Sequence, residues 1–103
     1  MDSSMYHYSH SEMRDLLKQL PEEKLHLLQM RHTHGGGWIT YNIKTASLFK
    51  IHLDTVEALR ALYRKMNDRE ERGYRIVRVS KYLANGVCVP SVLEMIESFP
   101  AKV

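Results

Sequence analysis

Five of the six histidines lie in the first third of the chain, and imidazole is a common zinc ligand. They are His7, His10, His26, His32 and His34. A structural zinc site needs four nitrogen or sulfur ligands in fixed geometry, and the single cysteine, Cys88, lies far away in sequence. His32 and His34 have a simpler explanation, because the negative end of a helix dipole favours a protonated imidazole at the end of a helix. We therefore predict no metal site.

The sequence contains no complete motif for a nucleotide-binding loop or a catalytic nucleophile. The three glycines at 35–37 follow a predicted helix, whereas phosphate-binding glycines lie between a strand and the start of a helix. We interpret them as a connector. Cys88 lies between Val87 and Val89, which favours a small buried side chain over an activated nucleophile. The sequence therefore predicts no enzymatic activity and no cofactor.

Residues 60–81 are the most strongly charged part of the chain. They hold eight basic and three acidic side chains, a net charge of +5, whereas the whole chain carries +3. Guanidinium groups bind both phosphates and carboxylates through paired hydrogen bonds. Three interpretations stay open: a solvated helix face, a face for an acidic protein, or a nucleic-acid face assisted by Tyr74 and Tyr82. The candidate residues for a charged partner are Arg64, Arg69, Arg72, Arg75, Arg78 and Lys81.

Residues 80–96 also allow a helix-turn-helix interpretation, with Gly86 in the turn. The second helix of such a motif enters the major groove of DNA. Here that helix would carry Glu94 and Glu97 and no lysine or arginine, so it would bring negative charge toward the phosphates. We therefore favour strands over this motif in 80–89.

Two helices are predicted before the glycine run. Ser9 and Glu12 form a capping-box pattern, and an apolar stripe at helical spacing follows until Pro21. Pro21 is also suited to the first position of a new helix, and the acidic residues after it complement the helix dipole, so 21–32 is predicted as a second helix. The apolar stripes of this helix pair are Met13, Leu16, Leu17, Leu20, Leu25 and Leu28.

From Trp38 onward, apolar residues alternate with polar ones, a pattern typical of strands. This pattern predicts one antiparallel strand pair over about 38–53. A second pair is predicted over about 74–89, because Asn85-Gly86 is a strong signal for a two-residue hairpin turn.

Two further helices complete the predicted fold. Residues 54–72 begin with a capping-box pattern and contain an apolar stripe, which predicts a long central helix. Residues 90–99 begin with Pro90 and are predicted as a C-terminal helix. The apolar stripe of this helix consists of Val92, Met95, Ile96 and Phe99. The predicted fold class is therefore α+β, with helices on one face of an antiparallel sheet. We expect a flexible arm over 1–8 and a single domain over 9–103.

Length and composition agree with one small folded domain. The 103 residues are too few for two independent cores, and Leu, Ile, Val and Phe make up about a quarter of them. A single cysteine excludes an intramolecular disulfide, and the first 20 residues lack the apolar block of a signal peptide. No apolar run approaches the length of a membrane-spanning helix. We therefore expect a cytoplasmic protein with no membrane partner.

The leading functional hypothesis is a small regulatory protein that binds another protein without catalysing a reaction, such as an inhibitor or antiactivator of bacterial or phage origin. It is favoured because the predicted apolar stripes exceed what so short a domain can bury. The same excess predicts a homodimer, with the first helix pair or the last helix as the contact surface. The alternative is a nucleic-acid-binding regulator that uses the basic segment 60–81.

Overall fold

The computed structural model describes residues 10–33, 36–46, 48–79 and 92–102. These residues form two short α-helices and six β-strands, so strands dominate the regular structure. The helices are α1 (His10–Gln19) and α2 (Val56–Arg64). The strands are β1 (His26–Arg31), β2 (Trp38–Thr40), β3 (Asn42–Thr45), β4 (Leu48–Ile51), β5 (Tyr74–Val79) and β6 (Val92–Phe99). The predicted fold class, with two N-terminal helices, a long central helix and a C-terminal helix, is wrong.

The strands form two antiparallel sheets. The larger sheet has four strands in the order β2-β1-β5-β6, and the smaller sheet is the hairpin β3-β4. Strands β1 and β5 therefore lie at the centre of the larger sheet, with a paired strand on each side. Among the described strands, β2 and β6 form its two edges.

Each face of the larger sheet carries its own hydrophobic core. On one face, Leu27 of β1 packs in a cluster with Leu17 of α1. On the other face, Leu28 of β1 packs in a cluster with Leu59 of α2. Because neighbouring residues of a strand point to opposite faces, α1 and α2 cover opposite sides of the sheet. The sequence predicts helices on one face of the sheet. This prediction is wrong, because α1 and α2 lie on opposite faces.

The predicted second helix over 21–32 is wrong, because this segment forms a single 3₁₀ turn followed by β1. A strand at the centre of a sheet can be buried on both faces, and its apolar residues then follow one another without alternating. Leu27 and Leu28 are both fully buried, one on each face. The helical interpretation used the three-residue spacing of Leu25 and Leu28, but Leu25 lies between the 3₁₀ turn and β1, and only Leu28 belongs to the strand.

The predicted C-terminal helix over 90–99 is also wrong, because residues 92–99 form β6 alongside β5. The pairing register of the two strands shifts twice, and Leu93 and Ile96 have no opposite residue in it. Each extra residue of a bulge interrupts the alternation of a strand. Two bulges therefore produce apolar spacings of three and four residues, the same spacings as in an amphipathic helix.

The long central helix predicted over 54–72 is wrong in its length, because α2 ends at Arg64. Thr55 caps the N-terminus, since its hydroxyl oxygen accepts a hydrogen bond of 3.1 Å from the amide of Ala58. Beyond the helix the chain turns around Asp68, whose carboxylate accepts a hydrogen bond from the hydroxyl of Tyr74. A tertiary bond of this kind leaves no periodic signal in the sequence.

The strand pair predicted over about 38–53 agrees with the structure only for the hairpin β3-β4. Ala46, in the turn of this hairpin, has a φ of 56°, a left-handed conformation that non-glycine residues seldom adopt. Strand β2 pairs with β1 and not with the hairpin, which places Trp38 at one edge of the larger sheet.

Several predictions fall partly or wholly outside the described residues. Strand β5 occupies the first part of the pair predicted over 74–89, and its partners are β1 and β6. The remainder of that pair, the arm 1–8 and the capping residue Ser9 lie outside the described ranges. Within those ranges, no helix is long and apolar enough to cross a membrane.

Candidate anion-binding site

Three adjacent strands of the larger sheet place polar and aromatic side chains together on one face. Trp38 of β2 lies opposite Arg31 of β1, and Arg75 of β5 lies opposite Gln29 of β1. Gln29 and Arg31 are two residues apart in a strand, so all four side chains share a face. Thr40 of β2 lies opposite Gln29 on the same face. We call these five residues the arginine–tryptophan cluster.

The arginine–tryptophan cluster continues the sheet face that α1 covers. Leu27 of β1 and Val77 of β5 belong to the same hydrophobic cluster as Leu17 of α1. Two residues away from them, Gln29 and Arg75 begin the polar group. The face therefore changes from an apolar core beneath α1 to a charged and aromatic surface beyond it.

Two guanidinium groups lie against one indole ring. The Cζ atom of Arg75 is 4.2 Å from the centroid of the Trp38 ring, and that of Arg31 is 5.3 Å from it. These distances are typical of cation–π contacts. Gln29 fixes Arg75 by accepting a 2.8 Å hydrogen bond from its Nε, and donates a 3.1 Å bond to the hydroxyl of Thr40. The cluster is thus held in place by side-chain bonds across three strands.

Among the described side chains, no acid balances the charges of this cluster. In the part of the chain that the structure describes, no carboxylate forms an ion pair with Arg31 or Arg75. Burial lowers the pKa of Arg75, and the positive charge of Arg31 lowers it further. Two like charges without a counter-charge favour the binding of an anion, because an anion attracts both of them.

An open groove adjoins the cluster. It has a volume of about 320 Å³, and its lining includes Arg31, Trp38, Gly73, Ser98 and Phe99. A Cβ atom on Gly73 would lie 3.2 Å from Cγ of Arg31 and 3.9 Å from Cη2 of Trp38. The missing side chain at this position therefore lets Arg31 and Trp38 lie close to the backbone.

The described basic candidates from segment 60–81 do not all share one sheet face, because Arg75 and Arg78 lie on opposite faces of β5. Three of them are engaged in bonds within the fold. These bonds join Arg78 to Glu22 at 2.7 Å, Arg72 to Asp68 at 3.2 Å and Arg69 to the carbonyl oxygen of Met66 at 3.0 Å. Arg64 is exposed at the end of α2, and Lys81 lies outside the described residues. Only Arg75 of the six lies in the arginine–tryptophan cluster.

Most apolar candidates for partner binding are part of the core. Leu17, Leu25 and Leu28 are fully buried, and Leu16 and Leu20 pack against the core of the α1 face. The ring of Phe99 stacks on that of Tyr63 with centroids 4.0 Å apart. Met95 and Ile96, on β6, are exposed by 58% and 39%. The side chains of Met13 and Val92 lie outside what the structure describes.

The histidines that the structure describes have local roles. His26 is buried in β1, and its Nδ1 lies 3.1 Å from the carbonyl oxygen of Glu23. His52 lies 3.6 Å from the carboxylate of Asp54. No group of three or more potential metal ligands is present among the described side chains. His7, His34 and Cys88 fall in segments that the structure leaves undescribed.

Two central residues of the cluster were missed from the sequence. The sequence pattern places Arg31 near the end of the predicted second helix and Trp38 at the start of a predicted strand. A signal existed, because the glycine run at 35–37 lies between them and is suited to a reversal of two paired strands. With 21–32 interpreted as a helix, that reversal could not be recognised.

Comparison of this chain with protein-family models, with curated proteins and with solved structures finds no match. The function of the site is therefore argued from its own geometry.

Proposed function

We propose that this protein is a non-enzymatic, cytoplasmic regulator that binds single-stranded nucleic acid through the arginine–tryptophan cluster. The observation that carries this proposal is the pair of guanidinium groups at 4.2 and 5.3 Å from one indole ring. Neither arginine has a carboxylate partner among the described side chains. A guanidinium group binds a phosphate or a carboxylate through two parallel hydrogen bonds, so the arginine pair fits a ligand with successive phosphates.

The tryptophan favours nucleic acid over a simple anion. In the free protein, the guanidinium of Arg75 covers the ring of Trp38. If Arg75 turns toward a phosphate, the ring becomes available for stacking with a base. The positive net charge of +3 and the pI of about 9.1 add a general attraction to polyanions.

A single strand fits this surface better than a duplex. The cluster lies on three β-strands, and its one indole can stack with a base only when that base is free of its duplex neighbours. Stacking on an aromatic ring and neutralisation of backbone phosphates are the usual means by which proteins bind single strands. This proposal is the nucleic-acid-binding alternative of the sequence analysis. Of the basic residues suggested there, it uses Arg75, and it adds Arg31 and Trp38.

We expect the double substitution Arg31→Gln and Arg75→Gln to weaken binding of a labelled oligothymidylate at least tenfold. Loss of two phosphate contacts should also flatten the slope of log affinity against log salt concentration by about 1.4. Fluorescence anisotropy between about 50 and 200 mM salt measures both effects.

The matched control is Arg64→Gln with Lys65→Gln, which removes the same charge from two exposed residues outside the cluster. This control should retain most of the affinity of the wild type. If both double variants lose affinity equally, binding depends on net charge and the proposed site is wrong. Absence of oligonucleotide binding at low salt would reject the function itself.

The second candidate function is binding of a protein, including a second copy of this chain, along β6. Met95 and Ile96 are exposed there, and β6 is an edge of the larger sheet. An edge strand offers unpaired backbone groups to another chain. These residues are what supports the inhibitor or antiactivator hypothesis, because the other apolar candidates with described side chains pack within the protein.

For this second candidate we expect dimer formation at tens of micromolar, measured by sedimentation equilibrium. Met95→Lys should weaken the dimer, because it places a charge on the exposed edge strand. Ile43→Lys is the control, since Ile43 is exposed by 39% on the separate hairpin. A wild-type protein that stays monomeric at these concentrations would remove the dimer from consideration.

A further inference from the structure

Building on the proposed function, we infer that the groove beside Trp38 receives one unpaired nucleobase while Arg31 and Arg75 bind the adjacent phosphates. The groove and the arginine–tryptophan cluster share two residues, Arg31 and Trp38. A strand whose phosphates lie on the arginines therefore has a cavity within reach of the neighbouring base.

The size of the groove fits a single base. Its volume of about 320 Å³ lies at the lower end of the range of about 300 to 1,000 Å³ that small-molecule sites occupy. A groove of this size suits one small planar group. We expect the rest of a bound strand to lie outside it, along the sheet.

The walls of the groove combine flat apolar surface with a polar group. The indole of Trp38 and the side chains of Phe99 and Pro100 provide the apolar surface. Ser98 lies opposite Arg75 in the pairing register, so it shares the face of the cluster. Its hydroxyl can donate and accept hydrogen bonds at the edge of a base. A nucleobase, which is a planar ring with polar atoms at its edge, fits this apolar wall and hydroxyl better than the carboxylate of an acidic peptide does.

The position of this wall is fixed from the other face of the sheet. Phe99 follows Ser98 in β6, and its ring stacks on Tyr63 of α2 with an angle of 21° between the planes. The contact anchors the end of β6 beside the groove. The groove is thus bordered by packed elements, and the ring of Trp38 becomes available for stacking when Arg75 turns toward a phosphate.

The test compares three ligands of equal length. They are a labelled oligothymidylate, an oligonucleotide with the same phosphates and no bases, and a poly-glutamate peptide. We expect the oligothymidylate to bind about 5- to 150-fold more tightly than the abasic strand, the range that one stacked base gives. Trp38 is the only tryptophan, so quenching of its fluorescence by the base-containing strand alone reports stacking directly.

Two substitutions test the groove itself. Gly73→Ala brings a Cβ within 3.2 Å of Arg31, whereas the control Gly37→Ala meets no atom within 4 Å. Ser98→Leu fills the groove from an exposed position of an edge strand, so it remains informative if Gly73→Ala impairs folding. Both groove variants should lose the preference for the base-containing strand and keep salt-dependent binding of the abasic one.

The outcomes separate this inference from the proposed function. Equal, salt-dependent binding of both strands by the wild type overturns the base subsite and leaves nucleic-acid binding intact. Retention of the full preference in Ser98→Leu also overturns the subsite. Failure to bind either strand overturns both proposals, and tighter binding of poly-glutamate assigns the cluster to an acidic protein instead.

Discussion

Replacing Leu27 with alanine is expected to lower the free energy of unfolding by about 2 to 5 kcal/mol, as much as replacing Leu28. Both side chains are fully buried, and they belong to separate cores on opposite faces of the larger sheet. Each substitution removes buried methyl groups and leaves a cavity that the central strand β1 cannot close by moving. Urea denaturation followed by circular dichroism measures both values.

The comparison of Leu27 and Leu28 decides between the strand and the helix in 21–32. A helix with Leu25 and Leu28 on its buried face would turn Leu27 away from the core, and Leu27→Ala would then cost little. Lys65→Ala, at an exposed position after α2, is the control and should change stability by about 0.5 kcal/mol or less. A small effect of Leu27→Ala beside a large effect of Leu28→Ala would contradict β1.

Replacing Tyr74 with alanine should destabilise the protein by about 3 to 5 kcal/mol. Tyr74 is 1% exposed, and its ring contacts that of Tyr63 edge to face at 5.3 Å. Its hydroxyl also donates a hydrogen bond to Asp68, in the turn that leads into β5. Tyr74→Phe keeps the ring and removes only this bond, so it should cost about 1 kcal/mol. Equal losses in the two variants would contradict the packing role of the ring.

Tyr74 also gives stability a dependence on alkaline pH. Burial raises the pKa of its hydroxyl, and the hydrogen bond and negative charge of Asp68 raise it further. In the unfolded chain tyrosine ionises near pH 10, at about its ordinary pKa. The folded state therefore keeps a proton that the unfolded state loses, and stability falls as the pH rises above that value.

The phenylalanine variant isolates this effect. Tyr74→Phe has no hydroxyl to ionise, so its free energy of unfolding should decline less steeply than that of the wild type above about pH 10. Urea denaturation at a series of pH values measures the two slopes. Parallel profiles for the two proteins would show that the unfolded and folded states ionise this group alike.

Local signals in the sequence located some elements correctly. The capping pattern around Thr55 marks the start of α2, and alternation of apolar residues marks the hairpin β3-β4. Both features depend on residues close together in the chain. The strands β1 and β6 were missed because burial on both faces and two bulges, respectively, remove the alternation that identifies a strand.

The basic segment shows why charge along a sequence does not define a surface. Arg75 and Arg78 are three residues apart in β5, and an odd separation places two side chains on opposite faces of a strand. Arg78 pairs with Glu22, whereas Arg75 lies over Trp38. A helix would have placed both arginines on one side. The candidate site could be found only if Arg31 was placed in a strand. The sequence pattern favoured a helix there.

If the proposed binding of a polyanion to Arg31 and Arg75 is correct, the stability of the fold depends on whether that ligand is bound. Arg31 and Arg75 come together only when β1 and β5 pair, so their mutual repulsion is present in the folded chain and relieved in the unfolded one. A polyanion that binds this pair removes the repulsion and binds only the folded chain, which shifts the folding equilibrium toward the native state. Under the proposed function, the repulsion within the cluster lowers the stability of the free protein, and a bound polyanion raises it.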